Sequence, residues 1–183
     1  MDRTEVYRGR IVHLFRDRVR FPDGSEGELE LIEHAGASAV LPVCGHPSEP
    51  DPDVLLLRQY RYAAGGELWE VPAGMPAYEG EPWEACALRE LEEETGMRAA
   101  SIRPLTRIYT TPGFTDEVIR LFVAWDLTPG ETARDRDEFI EVCRMPFSEA
   151  LARVREGEIV DCKSVATLLY AHAFVIGRGD TPM

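Results

Sequence analysis

Alternation of apolar and polar residues dominates the first third of the chain and predicts β-strands there. Residues 8–21 alternate loosely and run into turn-forming residues at 22–24, after which residues 28–33 alternate cleanly. Two short apolar runs follow at 40–43 and 54–57, and their composition is typical of strands buried in a sheet. The proline-rich segment between these two runs predicts an exposed loop.

The middle of the chain contains the first clear helical pattern. Pro82 suits the first position of a helix, and Gly96 suits the left-handed residue just beyond its end. Between them, apolar residues recur at helical spacing and form one face, at positions 83, 87, 88 and 91.

Other stretches complete a mixed pattern of strands and helices. Strands are predicted at 68–71, 102–109, 118–125 and 141–145. Two more helices are predicted at 148–156 and 164–176, each opened by a serine that could cap it. Because strands and helices do not alternate regularly, we expect an α+β fold built as a mixed-sheet sandwich, and 183 residues suit one domain.

Composition and charge narrow the class of protein. A hydrophobic content of 44% and a charged content of 29% are ordinary for a globular protein. No apolar run approaches the roughly 20 residues that span a bilayer, and the first residues lack the apolar core of a secretory signal. We therefore expect a cytoplasmic protein without a membrane partner. The net charge of −13 disfavours nucleic acid as a partner, and four scattered cysteines argue against a zinc site or a disulfide framework.

Acidic residues are concentrated around the predicted helix, which would begin at Pro82 and end before Gly96. Residues 79–94 contain seven glutamates and one base, Arg89. Glu90, Glu93 and Glu94 share one helical face, where like charges cost about 0.2–0.5 kcal/mol per pair. A divalent cation would relieve that repulsion, and carboxylate oxygens favour Mg²⁺ or Mn²⁺ over zinc. On composition alone, such a face is more often solvated surface.

The order of the residues, rather than their charge, separates these alternatives. Gly74 and Glu81 precede the segment Arg89-Glu90-Leu91-Glu92-Glu93-Glu94-Thr95-Gly96-Met97. This series resembles the box of the Nudix hydrolases, G-x5-E-x7-R-E-U-x-E-E-x-G-U, in which U is apolar. Every specified position from Glu81 onward matches. The one departure is that six residues, not five, separate Gly74 from Glu81.

The resemblance implies an α/β/α sandwich in which this helix and the loop before it form the catalytic platform. The reaction of the family is hydrolysis of a nucleoside diphosphate linked to another moiety. Glu90 and Glu94 would be the main ligands of Mg²⁺, or alternatively of Mn²⁺, with Glu93 assisting them and the backbone carbonyl of Ala73 as a further ligand. Arg89 would act in catalysis by orienting the glutamates through charge-assisted hydrogen bonds.

Stretches outside the box resemble the ADP-ribose pyrophosphatase branch of that family, across nearly the whole chain from Tyr7 to Ala173. They lie at 58–62, 67–74, 109–117 and 155–164. The turn Pro112-Gly113, about sixteen residues beyond the box, is the most telling of them. The resemblance implies that Gly113 lies at the substrate site.

The same resemblance implies roles for residues that would bind the substrate. By position, Arg61 would contact the pyrophosphate, and Glu117 with Thr111 would hold the terminal ribose. A guanidinium matches phosphate oxygens, and a carboxylate accepts bonds from vicinal hydroxyls. Tyr60 would stack on adenine, although strand tyrosines more often pack on a half-buried face.

The catalytic base remains open between three acidic residues. In this branch, a glutamate on a loop before a late strand activates water or contacts the metal. Alignment of the apolar start of the predicted strand makes Glu138 the first candidate, followed by Asp137 and Glu141. A charged loop before a strand is otherwise ordinary solvated surface.

These comparisons divide the chain into three parts. Residues 1–36 would form an N-terminal β segment that builds a homodimer, as in relatives. Residues 37–176 would form the Nudix domain, and residues 177–183 a frayed tail.

The expected function is Mg²⁺-dependent hydrolysis of ADP-ribose to AMP and ribose 5-phosphate. Two alternatives stay open. One is hydrolysis of another nucleoside diphosphate sugar, such as GDP-mannose, because related branches share this architecture. The other is a non-catalytic sensor of ADP-ribose, a class that tends to carry a degraded box or an added DNA-binding domain.

Overall fold

A computed structural model of the protein describes residues 2–133 and 139–178. The strands are β1 (Arg3–Arg8), β2 (His13–Arg20), β3 (Glu26–Glu33), β4 (Ala37–Cys44), β5 (Asp53–Arg61), β6 (Gly66–Glu70), β7 (Ala73–Gly74), β8 (Met97–Tyr109), β9 (Val118–Pro129) and β10 (Ile140–Pro146). The helices are α1 (Trp83–Thr95), α2 (Phe147–Glu156) and α3 (Cys162–Phe174). Among the described residues, no helix combines the length and the apolarity needed to cross a bilayer.

The strands form two separate sheets. The first three strands make an antiparallel sheet in the order β1-β2-β3. The other seven make a sheet in the order β10-β5-β4-β9-β8, with β6 on β5 and β7 on β4. In this second sheet β4 and β9 run parallel, whereas the other pairs are antiparallel. The sheet is therefore mixed, as the irregular alternation of elements predicted.

Helices cover both faces of the second sheet because successive side chains of its central strands point in opposite directions. On β4, Val40 packs with Leu91 of α1. Its neighbours Leu41 and Val43 pack with the apolar side of α3, including Leu168. The predicted α/β/α sandwich is confirmed, with α1 on one face of the sheet and α2 and α3 on the other.

Helix α1 begins one residue later than the sequence predicts. Pro82 lies just outside the helix with an extended ψ of 136°, and its carbonyl accepts the first helical hydrogen bond, from the nitrogen of Cys86 at 2.9 Å. At the other end, Gly96 adopts a left-handed φ of 71° and donates to the carbonyl of Glu92 at 2.8 Å. Both ends follow ordinary helix chemistry.

The prediction that serines cap α2 and α3 is wrong. Helix α2 begins at Phe147, and the Oγ of Ser148 donates to Asp51 at 2.8 Å. Asp161, not Ser164, caps α3, since its carboxylate accepts from the backbone nitrogen of Ser164 at 3.0 Å.

Other predicted bounds also change. Strands β8 and β9 extend beyond the predicted ranges, and β1 is a separate strand that the loose alternation at 8–21 did not reveal. The division of the chain at residues 36 and 176 stays a prediction, and most of the predicted frayed tail, residues 179–183, lies outside the described part of the chain.

Ser164 instead connects α3 to Val71, the residue that follows β6. Its side chain is fully buried, its Oγ donates to Asp161 at 2.6 Å, and it accepts from the backbone nitrogen of Val71 at 2.8 Å. A buried amide that loses its acceptor costs about 1–3 kcal/mol.

We expect Ser164→Ala to lower the free energy of unfolding by about 1–3 kcal/mol, because the nitrogen of Val71 loses its acceptor. The matched control is Ser148→Ala, which removes an exposed bond and should cost less than about 0.5 kcal/mol. Urea denaturation followed by circular dichroism measures both variants. Equal decreases in the free energy of unfolding of the two variants would show that the buried hydrogen bond contributes no more to stability than the exposed one.

Candidate active site

Two neighbouring cavities open beside α1 and share one wall. Their volumes are about 560 Å³ and about 370 Å³. The shared wall consists of Arg61, Ala73, Gly74 and Met75. The first cavity is also lined by residues of α1 and β5 and by the turn after β1, among them Arg10, Gln59, Tyr60, Arg89, Glu90 and Glu93. The second is lined by residues from several loops and from the start of α3, among them His34, Thr110, Glu117, Asp161, Cys162 and Lys163.

Arg89 sits at the centre of the acidic residues of α1. Its Nη1 donates to Glu90 at 2.7 Å and to Glu93 at 2.8 Å, and its Nε donates to Glu81 at 3.1 Å. Its Nη2 donates to the carbonyl of Met75 at 2.9 Å. We call Arg89, Glu81, Glu90 and Glu93 the Arg89 cluster. One guanidinium thus links the loop before the helix to the helix itself.

These contacts shift the pKa values of two members of the cluster, Glu81 and Arg89. The hydrogen bond from Arg89 holds the pKa of the Glu81 carboxyl below its ordinary value, and the same bond raises the pKa of Arg89. Both groups are therefore charged near neutral pH. Arg89 thus pairs with Glu93, one turn along the helix, whereas Glu92 pairs with Arg98 at 2.7 Å.

The residues that could hold a divalent cation offer only oxygen atoms. Glu94 is 2% exposed, and its Oε2 accepts from the nitrogen of Ala73 at 3.0 Å, so α1 and β7 touch at this point. The carboxylate of Glu90 lies against Gly74 so closely that a Cβ there would come within 2.2 Å of Oε1. Among the described residues, no three His, Cys, Asp or Glu side chains already converge on a metal position. The donor chemistry of these oxygen atoms fits Mg²⁺.

Arg61 meets a buried carboxylate at the shared wall. Glu70, which is 2% exposed, accepts from Nε and Nη2 of Arg61 at 2.7 and 2.8 Å, and also from the Nζ of Lys163. Burial alone would raise the pKa of Glu70, but the bonds from Arg61 and the charge of Lys163 outweigh it, so the pKa is lowered. The wall therefore holds a guanidinium in a fixed orientation.

The second cavity brings Glu117 together with residues that the sequence did not indicate. Thr110 donates to Glu117 at 2.8 Å, and the Nδ1 of His34 lies 3.5 Å from the same carboxylate. Thr111, which the resemblance favoured, instead offers its backbone carbonyl to the nitrogens of Phe114 and Thr115. No sequence signal separated Thr110 from its neighbour. The fold alone places the side chain of Thr110, and not that of Thr111, next to Glu117.

The remaining predicted residues fall in three places. Tyr60 is 48% exposed and lines the first cavity, whereas Gly113 lies in an exposed turn. Glu138 and Asp137 lie outside the described residues. Glu141 is exposed and lies 3.5 Å from Arg58, and it is not among the residues that line either cavity.

Comparison with known proteins identifies the class of protein that this fold and this site define. The sequence matches the NUDIX domain over residues 34–161. The chain belongs to the Nudix family, and it is a pyrophosphohydrolase of that family.

Several curated relatives align with it. The ADP-ribose pyrophosphatase of Bacillus subtilis (strain 168) is 35% identical over 170 residues, which cover 92% of this chain and 89% of that protein. The ADP-ribose pyrophosphatase of Mycobacterium tuberculosis is 36% identical over 174 residues, or 94% of this chain and 82% of that one. The GDP-mannose pyrophosphatase of Citrobacter koseri is 36% identical over 130 residues, which cover 66% of each chain.

A solved structure supports the fold. The crystal structure of an ADP compounds hydrolase superposes with a TM-score of 0.80, covering 95% of this chain and 91% of that one at 21% identity. At this identity the likeness extends to the architecture alone.

Gly74→Ala should weaken Mg²⁺ binding with little cost in stability. A Cβ at this position meets the carboxylate of Glu90 at 2.2 Å, and the tip of that flexible side chain must turn away. We expect the dissociation constant for Mg²⁺ to rise by about 10–100-fold and the free energy of unfolding to change by less than about 1 kcal/mol. Calorimetric titration with Mg²⁺ and urea denaturation measure the two effects.

The matched control is Gly66→Ala, because a Cβ there meets no atom within 4 Å. An unchanged Mg²⁺ affinity in Gly74→Ala would remove Glu90 from the set of ligands.

Proposed function

We propose that the protein hydrolyses ADP-ribose to AMP and ribose 5-phosphate with the help of Mg²⁺. The observation that carries the proposal is the wall shared by the two cavities. One cavity contains the carboxylates of Glu90 and Glu93, the other contains Glu117 with Thr110, and Arg61 belongs to both. A pyrophosphate next to Arg61 would have its metal-binding side chains on one side and acceptors for sugar hydroxyls on the other.

The residues of the chain have separate tasks in this proposal. Glu90, Glu93, Glu94 and the carbonyl of Ala73 would hold Mg²⁺, which when bound neutralises phosphate oxygens and lowers the pKa of water. Arg61 would bind and orient the pyrophosphate, and Arg89 would keep the glutamates in place. The oxygen of water bonds to one phosphorus, the bridging P–O bond breaks, and the bridging oxygen stays with the other phosphate.

The proton of the attacking water needs an acceptor. Glu138 remains our first candidate for the base, with Asp137 second. Glu141 is the weakest of the three, because its carboxylate lies beside Arg58 on the exposed edge of β10.

We propose ADP-ribose rather than GDP-mannose as the substrate because the ADP-ribose pyrophosphatases align over more of this chain. The ADP-ribose pyrophosphatases align over more than nine tenths of this chain, whereas the GDP-mannose pyrophosphatase aligns over two thirds. The turn between β1 and β2 of the N-terminal sheet contributes Arg10 to the first cavity.

We also propose that the protein is a homodimer formed through its N-terminal sheet. All six residues of β1 are exposed, and large apolar side chains are among them or nearby: Val6, Tyr7, Ile11, Val12 and Leu29. Apolar surface of this kind marks an interaction site more often than free surface.

With Mg²⁺ present, we expect ADP-ribose to give the highest kcat/KM in a panel of nucleoside diphosphate derivatives that includes GDP-mannose. Chromatography of the products should show AMP and ribose 5-phosphate. Faster hydrolysis of GDP-mannose would overturn the choice of substrate, and tight binding of ADP-ribose without hydrolysis would favour the sensor.

A pair of variants shows that the measured turnover belongs to this site. Glu94→Gln removes a buried ligand charge and should lower kcat by on the order of 10²–10⁴. Glu92→Gln on the same helix is the control, because Glu92 pairs with Arg98 away from both cavities.

Light scattering should give a mass of about twice the 20.6 kDa of one chain. Val6→Glu places a charge on the exposed part of β1 and should shift the mass toward that of a monomer, because burying an unpaired charge is costly. Leu169→Glu, at an equally exposed apolar residue of α3, is the control. A monomeric wild-type protein at micromolar concentration would contradict the proposed homodimer.

A further inference from the structure

A network of four alternating charges runs from the start of α3 to the shared wall of the two cavities. Asp161 accepts from the Nζ of Lys163 at 3.0 Å, Lys163 also donates to Glu70, and Glu70 holds Arg61 through two hydrogen bonds. The side chains of Lys163 and Glu70 are 11% and 2% exposed, whereas that of Arg61 is 41% exposed. Only the last member of the network reaches well into solvent.

Lys163 is the single lysine of the chain, since the other nineteen basic residues are arginines. Its ammonium nitrogen lies between two carboxylates that belong to different elements, Glu70 at the end of β6 and Asp161 at the cap of α3. A compact ammonium suits one point between two carboxylates, whereas the planar fork of arginine suits two parallel bonds to one carboxylate. Arg61 makes the second kind of contact with Glu70.

We propose that Lys163 is a positioning residue for the hydrolysis: by anchoring Glu70, it fixes the guanidinium of Arg61 against the pyrophosphate. This inference rests on the proposed function, in which Arg61 binds that group. Arg61 bonds to Glu70 through Nε and Nη2. Among the described residues these bonds leave Nη1 unused, and Nη1 would bind the substrate.

Charge balance explains why Lys163 should strengthen the binding of the pyrophosphate by Arg61. The two acids and two bases of the network sum to zero, so Glu70 does not cancel the attraction of Arg61 for an anion. Without Lys163, the network would carry one excess negative charge next to the proposed pyrophosphate position. A buried carboxylate that loses a partner is also strongly unfavourable, so Glu70 would relax toward solvent and carry Arg61 with it.

Two other roles for Lys163 must be separated from positioning. Lys163 lines the second cavity and could contact the substrate directly, or it could serve only the stability of α3 through Asp161. Both of those roles act independently of Arg61. Positioning does not, because it has no effect once Arg61 is gone.

The experiment is a double-mutant cycle with Lys163→Met and Arg61→Ala, using ADP-ribose and Mg²⁺ as the assay. In the wild-type background, Lys163→Met should raise KM by about 10–100-fold while changing kcat much less, since the loss falls on binding of the pyrophosphate. In the Arg61→Ala background, the same change should alter KM by less than about twofold. Thermal unfolding of each variant checks that it is folded at the assay temperature.

Equal effects of Lys163→Met in both backgrounds would overturn the proposal in favour of direct contact or of stability. Arg144→Met is the matched control for loss of one positive charge, because Arg144 forms an exposed pair with Asp53 far along β10. Should Lys163→Met fail to fold, Lys163→Gln replaces it in the cycle with the same expected pattern, because it also removes the positive charge.

A second measurement does not depend on the substrate. Labelling with ¹⁵N-lysine gives a single ammonium signal in the spectrum of this protein, because the chain has one lysine. We expect Arg61→Ala to shift the signal of Lys163, since Glu70 loses two of its bonds. An unchanged signal would refute the link between the two residues. If the wild-type protein hydrolyses none of the panel but the signal shifts, the proposed function fails and the network stands.

Discussion

Negative charge packed around one arginine is the constraint on which the site depends. The Arg89 cluster joins two glutamates of α1 to Glu81 in the loop before it, and the same guanidinium reaches the carbonyl of Met75. Without that cation the carboxylates would repel each other and the loop would have no fixed path. The position of β7 relative to α1 follows, because Glu94 accepts from the backbone of Ala73.

A net charge of −13 repels an anionic substrate, so positive charge must be provided locally at the site that binds it. Two groups of side chains at or beside the shared wall provide this charge. Arg89 offsets part of the negative charge of Glu90 and Glu93, and a cation bound there would attract phosphate. On the other side, Lys163 balances Glu70, so that Arg61 keeps its attraction for phosphate.

The sequence predicted what depends on local order and missed what depends on distant partners. Most of the strands and α1 follow from periodicity, and the spacing of Glu90, Glu93 and Glu94 follows from the helix itself. The serine caps failed because Ser148 and Ser164 bond to Asp51 and Val71, 97 and 93 residues away. His34 and Lys163 were missed for the same reason, since only folding brings them to Glu117 and Glu70. Thr110 was missed because nothing in the sequence distinguishes it from Thr111.

The extra residue between Gly74 and Glu81 shows how a motif tolerates a change outside its helix. Gly74 is fixed by its pairing with Ser38 on β4, and Glu81 is fixed by Arg89 and by the nitrogen of Ala77. The residues from 77 to 80 between these anchors are exposed, and Gly80 adopts a φ of +87° that most residues avoid. The additional length is therefore absorbed where the backbone faces water. The carboxylates of the helix stay at the positions that their contacts require, because none of those contacts passes through residues 78–80.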